Sequence, residues 1–195
     1  MTPGMADFIA ARRRIAGHVR RTPCRRSENL SDLAGVPVWL KCEHHQDTGA
    51  FKLRGATNAV LRLAPGAPGV TTASTGNHGR ALAHAARALD VPATVCLSRL
   101  VPENKVQAIR ELGAEVRIAG ASQDEAMAEV ARAVAQEGMT EIPPFDHKAV
   151  VAGQGTIGLE IGTAEAVLVP LSGGGLAAGV AVAIKALAPG TRVIG

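Results

Sequence analysis

Three short segments carry side chains or backbone able to do chemistry. Lys52 lies in Gly49-Ala50-Phe51-Lys52-Leu53-Arg54-Gly55-Ala56, between two apolar residues at a predicted loop-to-helix junction. A lone lysine is ordinarily a surface charge. Partial burial between Phe51 and Leu53 would lower its pKa and make a nucleophilic amine. Ser74-Thr75-Gly76-Asn77-His78-Gly79 sits between a short apolar run and a helical pattern. Its hydroxyls, amide and open backbone could hold a carboxylate at a helix start. Capping by one Ser or Thr would explain a single residue but not the whole polar cluster. Ser172-Gly173-Gly174-Gly175-Leu176 follows a V-L-V run and precedes an Ala-rich stretch. Consecutive glycines let several N–H groups face one point, and a helix N-terminus adds partial positive charge, an arrangement suited to phosphate. No Gly-Lys-Ser/Thr follows, so it is not a Walker loop.

Other patterns point to less. Gly153, Gly155 and Gly158 spell G-x-G-x-x-G, but no acid lies some 20 residues on for a ribose, so small residues opening a closely packed helix are the preferred reading. His78 has no second histidine at metal spacing, and no metal site is expected. Cys24, Cys42 and Cys96 are odd in number and form no CxxC, which suggests neither a disulfide frame nor a zinc site. A reducing cytoplasm is the default location.

The elements that must position these segments alternate. Strands are predicted over 36–42, 70–73, 93–97, 115–118, 166–169 and 192–194. Helices are predicted over 54–63, 78–89, 103–112, 123–137 and 176–187. This succession implies βαβ units and a mostly parallel sheet covered on both faces. Ile142-Pro143-Pro144 is a break that marks a subdomain boundary.

Composition bounds the rest. Of 195 residues, 47% are hydrophobic, 19% charged and only 2% aromatic, which excludes a disordered chain and argues against a base-stacking nucleic-acid platform. The net charge of +4 is uneven: residues 1–26 carry seven arginines against Asp7 alone. With no aromatic or Gly/Ser interleaving, that arm reads as a solvated helix face rather than a nucleic-acid or membrane contact. No signal peptide is visible, and the uncharged run 166–184 is broken by Pro170 and three glycines, which excludes a membrane span.

Taken in order, the three segments resemble fold-type-II pyridoxal-phosphate enzymes of the threonine/serine dehydratase and serine racemase branch. The resemblance runs from Arg21-Thr22-Pro23 to Gly195. It includes Leu40-Lys41-Cys42-Glu43, Pro102-Glu103-Asn104-Lys105, Gly113-Ala114-Glu115 and Gly153–Glu160. His44-His45-Gln46 and Gly49-Ala50-Phe51 are most similar to the dehydratases of hydroxyectoine utilisation.

The resemblance implies a three-layer α/β fold of the tryptophan synthase β-like type. It divides the chain into residues 1–70 of a large domain, a small α/β domain over 71–147, and a return to the large domain over 148–195. It implies pyridoxal 5'-phosphate held covalently at Lys52, Phe51 beside the ring, and Asn77 on the ring 3'-oxygen. Ser172, Gly173, Gly174, Gly175 and Leu176 would bind the phosphate, and Ser74, Thr75, Gly76 and His78 the substrate carboxylate. The implied reaction is loss of the β-hydroxyl of a small threonine- or serine-like amino acid, giving a 2-oxo acid and ammonia.

Three substitutions depart from the pattern. Ala50 stands where most relatives have Ser, Ser172 replaces the first of four glycines, and Thr75 sits where racemases use Ser, which keeps racemisation open. Relatives continue well beyond Gly195, so the expectation is a large domain missing its last strands and a homodimer once the fold is completed. Two further alternatives stand: a fragment that binds cofactor with weak or no turnover, and a nucleotide-binding α/β domain using the glycine loop.

Overall fold

The computed structural model describes residues 2–74 and 76–195; Thr75, expected at the carboxylate site, lies outside the described residues. The alternation read from the sequence organises a four-stranded sheet. Its strands are β3 (Val70–Ala73), β4 (Ala93–Leu97), β5 (Glu115–Ile118) and β6 (Thr140–Glu141), ordered β5-β4-β3-β6 and all parallel. Every residue of β3 and β4 is buried, as strands covered on both faces must be. One face packs against α4 (Asn77–Ala88) and α5 (Glu103–Arg110), and α3 (Lys52–Val60) packs on α4, in one core with Leu53, Val60, Leu82, Val95, Leu97 and Ile109. The other face meets α6 (Gln123–Glu137) through Ala73, Cys96, Ala126 and Val130.

Alanine decides how closely the helices approach. In α4, Ala81, Ala83, Ala85 and Ala86 are all buried, so this helix lies against the sheet with little side-chain bulk between them. The same economy governs the pair α7 (Lys148–Ile161) and α8 (Gly175–Leu187). A Cβ on Gly158 would lie 2.7 Å from the Ala183 methyl, and one on Gly179 would lie 2.6 Å from the Val151 carbonyl. Gly153 meets the backbone of α3 in the same way, at 2.5 Å from the Arg54 carbonyl. The G-x-G-x-x-G spelling is therefore a helix-packing stripe, and it lies within α7 rather than at its start.

Beside this pair, β7 (Ala166–Leu168) and β8 (Arg192–Ile194) form a second parallel sheet. The N-terminal region adds α1 (Met5–Arg14), β1 (Cys24–Arg26), α2 (Glu28–Ala34) and β2 (Trp39–Lys41). Strands β1 and β2 pair antiparallel with Cys24 opposite Lys41. This pairing shortens the strand expected over 36–42, because β1 offers only three residues to pair with. The arginine-rich arm is a helix face only in part: α1 buries Phe8 and Ala11, and Arg12, Arg13 and Arg14 complement its C-terminal dipole, whereas Arg20 and Arg21 lie in the connection after α1 and Arg25 and Arg26 in β1. Among the described residues, no helix is long and apolar enough to cross a membrane.

Candidate active site

Lys52 is the first residue of α3 and is half-buried, with its Nζ 5.4 Å from the centre of the Phe51 ring. Burial lowers its pKa below the ordinary lysine value, since a charge leaving water there is only partly compensated. Among the described residues, its hydrogen-bond partner is the Pro144 carbonyl, which accepts from Nζ. Phe51 also packs against the cluster formed by Ile157, Val167, Val169, Val180 and Ile184, so the ring is held by α7 and α8.

What holds the lysine's helix in place is a buried charge network. Arg54, on the first turn of α3, is fully buried and donates to both oxygens of Glu43, at 2.9 Å each. It also donates to both oxygens of Glu160, at 2.6 and 2.9 Å. Lys41 Nζ completes the group at 2.6 Å from Glu160. Burial alone would raise the Glu160 carboxyl, but bonds from Arg54 and Lys41 hold it below the usual carboxylate range. Two cations and two anions thus tie α3, α7, β2 and the turn Glu43–His45 together.

Of the polar segment, Ser74 and Gly76 precede α4, and Asn77, His78 and Gly79 open it. Gly76 is the N-cap with no side-chain cap, and Asn77 is exposed at the first helical position. The first N–H groups of such a helix have no intrahelical acceptor and are free for an anion. Ser74 is half-buried and its Oγ lies 3.5 Å from the Gly76 N–H, at the limit of a hydrogen bond. His78 behaves differently from its neighbours: its ring is buried and its Nε2 lies 2.8 Å from the Ile142 carbonyl. What His78 can offer a ligand is its main-chain N–H.

Burial pushes the His78 pKa down to about 4, against the Ile142 hydrogen bond and with help from the nearby Lys52 charge. The unfolded state, with an ordinary value near 6.5, therefore binds more protons between these limits. Stability should fall as pH drops from about 6.5 to about 4, by on the order of 3 kcal/mol from this residue. Urea denaturation of the wild type and His78→Gln across this range checks it; parallel pH profiles for the two would refute the assignment.

The glycine segment opens α8. Gly174 is its N-cap in the left-handed conformation, φ 85°, without any side-chain cap. Ser172 adopts φ 44°, a left-handed backbone in a residue with a Cβ, which costs roughly 1–2 kcal/mol relative to glycine. Ser172 and Gly173 are exposed, Gly174 and Leu176 half-buried, and Gly175 buried. Gly175 is required by a close approach: a Cβ there would strike the Phe145 carbonyl oxygen. Gly173 faces the same residue, with a Cβ 2.5 Å from the Phe145 ring.

The three segments are thus joined by one loop. Ile142 receives His78, Pro144 receives Lys52, and Phe145 lies against Gly173 and Gly175. From the sequence, Ile142-Pro143-Pro144 is only a break, and neither Pro144 nor Phe145 is expected in the site. The signal that could have found Phe145 is its rarity: it is one of only three phenylalanines, and it follows a proline between predicted elements.

This arrangement fits a phosphorylated aldehyde cofactor. A half-buried amine of lowered pKa faces an apolar ring, and the uncapped N-termini of α8 and α4 offer N–H groups for a phosphate and a second anion. The protein family described as pyridoxal-phosphate dependent enzyme matches residues 15–195. A putative threonine dehydratase of Sinorhizobium fredii is 61% identical over 191 residues, covering 95% of this chain and 58% of that protein. Among solved structures, maize serine racemase superposes with a TM-score of 0.95 at 35% identity, over 99% of this chain and 60% of that one. The processed form of threonine deaminase isoform 2 from Solanum lycopersicum gives 0.89 at 35% identity, over 99% and 56%. The chain therefore spans about three fifths of the length of these relatives. The match covers all three chemical segments and both ends of the parallel sheet, and the chain belongs to the pyridoxal-phosphate dependent enzyme family.

Proposed function

We propose that this chain carries the lysine half of an ammonia-lyase site acting on small β-hydroxy amino acids of the threonine and serine type. The observation that carries the reading is the half-buried Lys52 amine, which the loop Ile142–Phe145 joins to an uncapped helix N-terminus suited to phosphate and to another suited to a carboxylate. Pyridoxal phosphate, when bound, supplies an electron sink that acidifies the substrate α-carbon. Lys52 would hold the cofactor covalently at Nζ, and, once the substrate amine has displaced it there, its freed neutral amine would take the substrate α-proton. Ser172 to Leu176 donate N–H groups to the phosphate, and Asn77 bonds the ring 3'-oxygen. Ser74, Thr75, Gly76 and the His78 N–H orient the substrate carboxylate. The β-hydroxyl would leave with a proton as water, and a water would then replace the amino group, which leaves as ammonia, giving a 2-oxo acid.

The division into residues 1–70, 71–147 and 148–195, a homodimer of the complete fold, and a cytoplasmic location belong to the same proposal. So does a role in hydroxyectoine breakdown. A second reading, amino-acid racemisation, is favoured by the likeness to maize serine racemase.

The test is to add pyridoxal phosphate to the purified chain, reduce with borohydride, and find the modified peptide by mass. L-threonine and L-serine are then assayed for 2-oxo acid release and for the D-enantiomer. Modification at Lys52 with 2-oxo acid release is expected. Absence of a Lys52 adduct would sink the proposal, D-amino acid without 2-oxo acid would favour racemisation, and adduct without turnover would favour a binding fragment.

The phosphate cradle makes its own prediction. Gly175→Ala forces a methyl onto the Phe145 carbonyl, an overpacking that costs roughly 1–3 kcal/mol. Pyridoxal-phosphate affinity should fall about tenfold by equilibrium dialysis, whereas Gly190→Ala, where a Cβ meets nothing within 4 Å, should leave it unchanged.

A further inference from the structure

We infer that Cys42, His44 and His45 form a binding site for a zinc-like divalent cation, separate from the lysine site. The Cys42 thiol and one nitrogen from each imidazole all lie within 4.8 Å of one another. Tetrahedral zinc with bonds of roughly 2.0–2.3 Å needs its donors about 3.3–3.8 Å apart, so a closure of about 1 Å completes the set. The two histidines supply that movement, because both are exposed, while Cys42 is 5% exposed and held.

The backbone carrying these donors is rigid. The Cys42 N–H donates to the Pro23 carbonyl at 3.0 Å, and the His45 N–H donates to the Cys42 carbonyl at 3.0 Å. Gln46 N–H donates to the Glu43 carbonyl at 3.2 Å, and the Glu43 side chain is committed to Arg54. Glu43 consequently faces inward, Cys42 before it is buried, and His44 and His45 after it are exposed. The His44 and His45 rings sit 4.4 Å apart and tilted by 44°, and one nitrogen of each lies within 4.8 Å of the other and of the Cys42 thiol.

The donor set selects the cation. One thiolate and two neutral imidazoles favour zinc, cobalt or copper over magnesium or calcium, which take oxygen donors. Three protein ligands leave a fourth position for water, and the exposed histidines leave the path to it open. Among the described residues, the competing interaction of the Cys42 thiol is a weak bond to the Leu40 carbonyl at 3.4 Å, which metal binding replaces with loss of the thiol proton.

Cobalt(II) titration of the full untagged chain, read as a difference spectrum against the same protein without cobalt, tests this. One cobalt per chain should produce a sulfur-to-cobalt charge-transfer band with visible bands of tetrahedral intensity, and zinc should bleach both. The bands should be lost in Cys42→Ser and persist in Cys24→Ser, whose exposed thiol lies on the neighbouring strand. Because Cys42 is buried, the His44→Ala/His45→Ala variant, which keeps the thiol and alters only exposed side chains, gives an independent reading and should also lose them. A wild-type spectrum without the charge-transfer band would overturn the inference. So would its persistence in the double-histidine variant or its loss in Cys24→Ser.

Discussion

Lys52→Ala should eliminate the borohydride-stable pyridoxal-phosphate adduct and reduce any 2-oxo acid formation by about 10³-fold or more. The size follows from two roles lost together, covalent attachment and proton abstraction, of which general-base work alone contributes roughly 10²–10⁴. The fold should survive. Lys52 is half-buried, and its replacement releases one hydrogen bond to the Pro144 carbonyl rather than a buried ion pair. Cofactor should still bind through the α8 N-terminus but exchange freely on dialysis. Mass analysis after reduction separates these outcomes: an adduct of unchanged yield in the variant would place the reactive amine elsewhere. Adduct formation in the wild type should also have its pH midpoint below that of an ordinary lysine, because only the neutral amine attacks and burial lowers its pKa.

The largest stability effect is expected at Arg54. In Arg54→Leu, Glu43 and Glu160 lose four charge-assisted bonds, and Glu160 keeps only Lys41 as a cationic partner among the described residues. Removing one member of a buried ionic group strands the others, at about 3–5 kcal/mol. For a chain that as a whole has ΔG of about 5–15 kcal/mol, this is a large share. Arg54→Lys should recover little, because a single ammonium cannot span two carboxylates as the planar guanidinium does. Urea unfolding measures both; a loss below about 1 kcal/mol for Arg54→Leu would show that the network adds geometry without stability. The same variant links stability to chemistry, since Arg54 stands two residues from Lys52 on one helix turn.

The limits of sequence reading follow the range of the interactions. Strands β3 and β4 and helices α4 and α6 were legible because a strand buried on both faces shows as a continuous β-rich run, and a one-sided helix writes its period into adjacent residues. Strand β1, helix α2 and strand β6 escaped because they are short and largely polar, without the apolar run that marks the equally short β7 and β8. The glycines of α7 spell a phosphate motif, but the absence of a following acid already favoured helix packing, and they meet Arg54, Phe8 and Ala183 from other helices.

From residue types and local order alone came the lysine between apolar neighbours, the polar segment and the glycine run at two helix starts, and the family resemblance. These are local properties: a glycine run frees N–H groups wherever it precedes a helix. Only the tertiary structure decided that His78 turns its ring to Ile142, that Pro144 and Phe145 join the lysine to the phosphate loop, and that Arg54 is bound on both sides. The bonds concerned link residues 64, 92 and 106 positions apart. No pattern of neighbours encodes such pairs, because they arise where the sheet and the α3–α7 contact bring distant chain together.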